Sequence, residues 1–557
     1  MGSEQEKSKG VFSNVMKKVA DFGKKTAEET KKFVDQTKEN IHEQKAKKYL
    51  VVTDKDFKAK DFVLPAIIMI EEDGANREFV KEDNAVGWIE MHKDVSALHI
   101  YAGFVKKSGI TFVPTAQTAN VYCRDNFVDK KYILSDNAFV RSGKWSLETA
   151  IKFPLFNRKK TKFNEVNRYL RSQTGDYSMK ITGSGVCDRM QYIDPKVYID
   201  MNGGVIMEIY NNVEEMETFK GFHVFATDGS YVEIPDHPQA REEMGVPPNN
   251  SVETFAANAR ISCTVDTKMD FVISAIIENQ TVDEITLALR HLDDVKNKIN
   301  MNNVITCYDR FYNSTEIMLK TETLNSYYLI RGKTNTFKKQ QQKMDNDKKT
   351  DETFDISLNN AKIKKFHDEK LKKIARKQKS IPVRIVKVKL KTGETEILFT
   401  NLPKEIATPE ELKQLYGERW KIETDYDRLK NKLYIEKFSG RRRTIIEQDF
   451  YSHIFLLNLL IGIKHDAELK ITRKPKETAK YTYEYHSNIN TLIGEIKDQL
   501  PRLLTDNQDE IQKVIKEIME IGSKELVATK IPARTNAERD KEKNWNKNCK
   551  TSKSEGF

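Results

Sequence analysis

Nothing in this sequence provides for a thiolate metal site or a disulfide scaffold. The five cysteines (Cys123, Cys187, Cys263, Cys307 and Cys549) are widely scattered, and no Cys-x-x-Cys pair occurs. That excludes zinc ribbons and dithiol redox motifs, and a sparse, odd set suits a reducing cytoplasm. The ten histidines show neither His-Glu-x-x-His nor any other paired-ligand spacing. Any metal would then be held mainly by carboxylates, which favours magnesium or manganese over zinc. Long apolar runs are missing too. The longest, Ile454 to Ile463, is interrupted by Asn458. It is too short for a bilayer and reads as a buried helix. The first fifty residues are charged and carry no hydrophobic run of the secretory kind. Glu6 stands where a myristoylation signal needs a hydroxyl residue. The expectation is a cytoplasmic protein with no membrane partner.

Apolar residues make up only 38% of the chain and the mean hydropathy is −0.65. At 557 residues the chain can still bury a sizeable core and divide into roughly two to four domains. Lys and Arg (94) exceed Asp and Glu (83), giving a net charge of +11. That excess permits a polyanionic partner without requiring one.

Residues 1–50 are rich in Lys and Glu, with Phe12, Val15, Val19 and Phe22 on a weak helical stripe. They read as a charged arm, amphipathic or disordered. Residues 51–148 mix strand-like and irregular pieces, such as Ile110–Pro114, and suggest no job. Residues 149–215 read as short helices joined by polar turns, with Lys152, Arg158, Lys159, Lys160 and Lys162 among them. Such a module suits either docking on DNA or an ordinary helical subdomain.

From 216 to 325 the texture becomes that of a mixed sheet. Phe222–Ile234 reads as a buried strand containing Asp228, and Asn258–Asp266 with Phe271–Glu278 as a hairpin. Thr281-Val-Asp-Glu284 reads as the cap of a helix carrying Ile285, Leu289, Leu292 and Val295. Val304–Asp309 is a second buried strand ending in an aspartate. Residues 326–403 interrupt this pattern with basic stretches and then a strand pair. Ile381, Val383 and Ile385 alternate, the phase slips by one at Ile385-Val386, and Val386, Val388 and Leu390 carry the alternation on. That slip predicts a β-bulge, which would leave Arg384, Lys387 and Lys389 on one basic face, either lining a phosphate-attracting groove or solvated. Residues 404–470 resume the core, 471–530 read as helical, and 531–557 form a charged tail.

The most informative stretch runs from Leu415 to Lys430. Tyr416, Arg419, Glu423 and Lys430 fall within roughly 60° of one another at about 100° per residue, so a ring, two cations and a carboxylate share one helical stripe. Ile422, Tyr426, Leu429 and Leu433 form an adjoining apolar stripe that can face a core. Thr408-Pro409-Glu410-Glu411 marks the start of the helix as a capping box with proline at its first position. Asp228, Asp309 and Glu423 are then three carboxylates on two strands and one helix. Two-metal phosphoryl transfer needs such a set, with the ions roughly 3.5–4 Å apart.

In these motifs the sequence resembles the DDE transposases of the insertion-sequence "four" group, over about residues 145–530. Asp228-Gly-Ser looks like their first aspartate motif. Asp309-Arg-Phe-Tyr312 looks like the second, with Phe311 in place of the usual glycine. Leu329-Ile-Arg331, Thr400-Asn-Leu402, Tyr416–Glu423 and Phe438-Ser-Gly440 match in order. The resemblance implies an α/β, ribonuclease-H-like mixed sheet flanked by helices and interrupted by a β-rich insertion, with helical regions on either side. It implies Asp228, Asp309 and Glu423 as catalytic residues and ligands of two Mg²⁺ or Mn²⁺ ions, and Tyr416, Arg419 and Lys430 as contacts to DNA. The implied enzyme cuts a mobile element at its terminal inverted repeats and joins the 3′ ends to target double-stranded DNA, with a hairpin intermediate, as a homodimer on a bacterial nucleoid. A catalytically silent DNA-binding descendant and a metal-dependent nuclease of the same fold are the competing readings.

Overall fold

β-Branched and aromatic residues concentrate in eight segments that pair into one mixed sheet. In this computed structural model the described residues run from 132 to 532, apart from short stretches at 141–144, 157–161, 176–179, 213–215, 247–256, 391, 474–475, 478–480 and 504–507. Between 49 and 106 only backbone strands are described. Among those strands, Arg77–Glu82 and Ala85–Glu90 form an antiparallel hairpin, in keeping with the strand-like texture of that region. The charged arm, the segment Ile110–Pro114 and the tail beyond 532 lie outside the described residues.

Strand β1 (His223–Glu233) is central to the first half of the sheet. On one side β2 (Asn258–Asp266) and β3 (Val272–Asn279) continue it as an antiparallel meander. On the other, β4 (Val304–Tyr308) and β5 (Tyr327–Arg331) run parallel to β1 and to each other. The order 3-2-1-4-5 with these directions is ribonuclease-H-like. The β2–β3 turn is set by Asp266, whose carboxylate accepts the N–H groups of Lys268 and Met269 at 2.8 and 3.1 Å.

The insertion does not stand apart. Its strands β6 (Asp351–Ser357), β7 (Ser380–Lys389) and β8 (Thr395–Thr400) extend the same sheet past β5 in the order β5-β8-β7-β6. The expected bulge in β7 is absent: its ladder to β8 runs unbroken from Arg384↔Thr400 to Lys389↔Thr395, and that to β6 is equally continuous. The slip in the sequence has another cause, because β7 is covered on both faces. Ile381, Val383 and Ile385 enter one core, and Val386 and Val388 enter the core on the opposite face. Nor is there a basic face. Arg384 is buried, and Lys387 donates to Asp345 and to the Gln341 carbonyl.

Helix α1 (Leu147–Phe156), α2 (Lys162–Thr174), α3 (Gly183–Met190) and α4 (Lys196–Asn212) bear out the helical reading of 149–215. They pack into the same core as β2 and β3, so they are built into the body of the main sheet. Lys152, one of the basic residues of this module, is nearly buried and pairs with Glu148. Arg158, Lys159 and Lys160 lie outside the described residues. Helix α5 (Glu284–Val295) is capped by Asp283, which accepts the Thr286 N–H at 3.0 Å; the cap falls two residues later than the sequence pattern placed it. Helices α6 (Thr315–Thr323), α7 (Lys338–Asn346) and α8 (Glu369–Gln378) cover the insertion half of the sheet.

Helix α9 (Pro409–Glu418) opens with the expected capping box: Thr408 Oγ1 accepts the Glu411 N–H while Glu411 accepts the Thr408 N–H. It does not run on through Lys430. A turn at Arg419–Trp420 separates it from α10 (Lys421–Asp427), and the wider π-helical turn Arg428–Lys432 follows. Helix α11 (Arg443–Glu468) is the buried helix expected around the apolar run. Asn458 sits there fully buried, donating to Asn202 and the Val272 carbonyl and accepting the Val272 N–H, so it pins α11 to the start of β3. Beyond it, α12 (Ile489–Leu503) and α13 (Gln508–Lys524) are accompanied by a small antiparallel sheet of Lys476–Glu477, Tyr481–Ser487 and Leu526–Pro532. The helical reading of 471–530 therefore missed three strands. No helix among the described residues is long and apolar enough to cross a membrane.

Candidate active site

Parallel pairing of β1 with β4 places two aspartates together. The ladder aligns Thr227 with Tyr308, so one step further brings Asp228 and Asp309 side by side. Neighbouring strands lie about 4.8 Å apart, and aligned residues share a face. Val224 and Ala226 precede Asp228 at alternate positions, as Ile305 and Cys307 precede Asp309. Both aspartates therefore emerge on the face covered by α9. Asp309 is held by the turn that follows β4, its Oδ1 accepting the Phe311 N–H at 2.6 Å. Phe311 points outward, 60% exposed, with Arg310 and Lys333 against its ring. Phe311, which stands where the resemblance led one to expect glycine, thus supplies the N–H that anchors Asp309.

Glu423 approaches from α10. The apolar stripe behaves as expected, with Ile422, Tyr426, Leu429 and Leu433 all buried in the core. Tyr426 adds a polar anchor that periodicity alone did not reveal. Its hydroxyl donates to the Asp228 carbonyl at 2.6 Å and accepts the Cys263 N–H at 3.1 Å, tying α10 to β1 and β2. Glu423 itself is exposed, on the flank of α10 beside that stripe.

Arg419 links the carboxylates. Its Nη1 lies 3.2 Å from Asp228 Oδ2 and its Nη2 lies 3.6 Å from Glu423 Oε1. The residue is 7% exposed and its Nε is buried without a partner. Burial works against the guanidinium's charge, but Tyr416, Asp228 and Asp309 raise its pKa above the ordinary value. Tyr416 is buried beside it, 5.9 Å from the guanidinium carbon to the ring centre, with its hydroxyl pushed up to about 12 by burial. Lys430 does not stand free: its Nζ donates to Ser230 Oγ at 2.8 Å and to the Tyr231 carbonyl at 2.7 Å, and burial lowers its pKa.

The carboxylates respond to this setting. Burial raises Asp228 to about 6; the Gly229 N–H and Arg419 oppose the rise, and the charges of Asp309 and Glu284 add to it. Burial also raises Glu423, against the pull of Arg419. Among the described residues no three His, Cys, Asp or Glu side chains are gathered closely enough to hold a metal ion as they stand. The donor set nonetheless fits a hard divalent cation, being carboxylate oxygens throughout. A positive group already sits in contact with two of the three, in the form of the Arg419 guanidinium. The structure thus brings Asp228, Asp309 and Arg419 together and connects Glu423 to them through Arg419. Glu284 and Tyr312, which border the neighbouring Gly229, were not singled out by the sequence pattern except as a cap residue and as the end of the second aspartate motif.

Residues 220–459 match the transposase DDE domain family. The matched segment begins just before β1 and ends within α11, so it contains Asp228, Asp309, Glu423 and the insertion. No curated protein matches the chain. Among solved structures, a cryo-electron-microscopy structure of the piggyBac transposase synaptic complex with hairpin DNA is similar, at 11% identity and a TM-score of 0.34, covering 73% of this chain and 75% of that one.

Proposed function

We propose that this chain is a DNA transposase of the insertion-sequence "four" kind, cutting a mobile element at its terminal inverted repeats and joining the 3′ ends to target DNA. The observation that carries this reading is the side-by-side placement of Asp228 and Asp309 at the ends of neighbouring parallel strands, inside the matched DDE domain. Asp228, Asp309 and Glu423 would hold Mg²⁺ or Mn²⁺, which when bound activates the attacking oxygen and neutralises charge on the leaving one. The protein's own part is to fix the aspartates through the sheet and to bring Glu423 in on α10, which Tyr426 ties to the Asp228 carbonyl. Arg419 must give up Asp228 for an ion to enter, and a DNA phosphate offers its guanidinium a replacement partner through charge-assisted hydrogen bonds. Water would attack the phosphodiester at the element end and release a 3′ hydroxyl. That hydroxyl would attack the opposite strand, leaving a hairpin that a second water reopens before the 3′ ends join target DNA. A homodimer bridging two ends suits this sequence of steps.

One observation favours a second reading. The pairing of Arg419 with both Asp228 and Glu423 also suits a catalytically silent DNA-binding descendant, in which the cation is never needed. Cleavage of DNA carrying the inverted repeats that flank the reading frame, with Mg²⁺, separates the two. Asp228→Ala, Asp309→Ala and Glu423→Ala should each reduce cleavage by about 100-fold or more, since the ion supplies several kcal/mol of charge stabilisation. Cleavage undiminished in any of these variants would refute the assignment of that residue. Absence of cleavage by the unaltered chain would favour the silent reading.

A further inference from the structure

His291 lies on α5 with its ring fully buried, and it takes no part in the chemistry proposed above. Each of its nitrogens meets a buried hydroxyl. Nδ1 lies 2.8 Å from Ser274 Oγ on β3, and Nε2 lies 2.9 Å from Ser262 Oγ on β2. Ser262 in turn donates to the Asp228 carbonyl at 3.1 Å. Donor accounting then fixes the protons. A serine hydroxyl has one hydrogen, and Ser262 gives its own to the carbonyl. Nε2–H therefore donates to Ser262 Oγ, and bare Nδ1 accepts from Ser274. Burial lowers the ring's pKa to about 3, so the ring stays neutral and keeps this one tautomer.

The relay ends on the peptide that holds the Asp228 side chain. Ser262 pairs with Gly229 in the β1–β2 ladder, and a Cβ built on Gly229 would meet Glu284 and Tyr312, so Ser262 and α5 share that face of the sheet. The Asp228 carboxylate emerges on the other face, since successive side chains alternate. His291 therefore reaches Asp228 through the backbone. The same carbonyl oxygen accepts the Tyr426 hydroxyl at 2.6 Å from α10, whose side of the sheet is that of Asp228 and Ser230, the partners of Arg419 and Lys430. Two hydroxyls thus hold one oxygen from opposite faces. That carbonyl and the Gly229 N–H belong to a single planar peptide. The Gly229 N–H donates to Asp228 Oδ1 at 2.9 Å. Any rotation of the peptide would carry this N–H with it and release the carboxylate.

We propose that His291 is a positioning residue for Asp228: by orienting Ser262 it fixes the Asp228–Gly229 peptide and, through the Gly229 N–H, the direction in which the carboxylate faces a divalent cation. The inference rests on the reading of Asp228 as a cation ligand. Groups that orient metal ligands in this way are commonly worth roughly 10–100-fold in metal affinity.

The test is Mn²⁺ binding by the full chain, followed through the electron paramagnetic resonance of free Mn²⁺, with thermal unfolding recorded for each variant. Ser262→Ala and His291→Leu should each weaken Mn²⁺ binding at least about tenfold. His291→Gln, whose amide N–H can still donate to Ser262, should bind more tightly than His291→Leu. Asn458→Leu breaks a different part of the core, the join of α11 to β3, and should bind Mn²⁺ as the unaltered chain does. Undiminished binding by Ser262→Ala and His291→Leu, with binding lost in Asp228→Asn, would overturn this inference and leave the proposed function standing. Equal weakening in Asn458→Leu at a matched fall in unfolding temperature would overturn it too, since affinity would then follow stability alone. Binding unaffected by Asp228→Asn, or no binding by the unaltered chain, would overturn both.

Discussion

Arg384 offers a sharp test of how the insertion is built. From its neighbours in sequence it belongs to a basic strand face; in the fold it is 3% exposed. Its Nε and Nη2 each donate to the Asp351 carboxylate at 2.8 Å, a two-point pair. Its Nη1 reaches the carbonyls of Ala407, Leu402 and Pro403 at 2.9, 3.1 and 3.2 Å. One guanidinium therefore fastens β6, β7 and the loop that leads into α9. Arg384→Met keeps most of the volume but leaves Asp351 without its partner and three carbonyls without a donor. Removing one member of a buried pair costs about 3–5 kcal/mol, and the orphaned carbonyls place the loss at the upper end. Arg384→Met/Asp351→Leu should recover a good part of it, because the uncompensated charge is gone. Urea unfolding of the single and double variants measures these differences, with fluorescence and circular dichroism followed together to check for intermediates. Arg384→Met with stability within about 1 kcal/mol of the unaltered chain, but with weakened DNA binding, would refute the structural role and restore the basic-face reading.

Further outcomes follow from other parts of the fold. Asn458→Leu should destabilise by about 2–4 kcal/mol in the same unfolding assay, since it strips the Val272 N–H and carbonyl and Asn202 of their buried partner. Burial raises the Asp266 carboxyl to about 6, despite bonds from Tyr210, Lys268 and Met269. A carboxyl raised on folding contributes stability that is fully present below its unfolded pKa and is lost as pH rises through the folded value. The loss should therefore run from about pH 4 to just above pH 6, amount to about 2–3 kcal/mol, and be largely absent from Asp266→Asn when unfolding is compared across that range. Arg419→Gln removes the positive group shared by Asp228 and Glu423. It should tighten Mn²⁺ binding by the DNA-free chain several-fold while lowering DNA cleavage; unchanged Mn²⁺ affinity would mean that the guanidinium does not compete for the site.

Much of the candidate site's placement was legible in the sequence because its parts are local. A strand that alternates or runs apolar before an aspartate announces the two aspartate positions, and the offset stripes of Leu415–Lys430 announce which side of the glutamate helix is buried. The same periodicity misled where covering elements decide burial. In β7 a change of covered face looked like an extra residue, because a sequence records which side chains are apolar but not which neighbour they meet. The unbroken helix expected from Tyr416 to Lys430 failed at Arg419, whose charge is satisfied by carboxylates on other elements once the chain turns there.

By itself the chain's sequence indicated the strand, hairpin, helix and strand order of residues 222–309 and the acidic residues at strand ends. Those properties depend on backbone preference and on the side chains present, which are local. Only the tertiary structure decided that the insertion joins the main sheet, that Arg384 is a clasp, and that Glu284 and Tyr312 lie against Gly229. Each of these depends on which distant segment occupies the adjoining space, and charges and hydrogen bonds act over a few ångströms regardless of how far apart their owners stand along the chain.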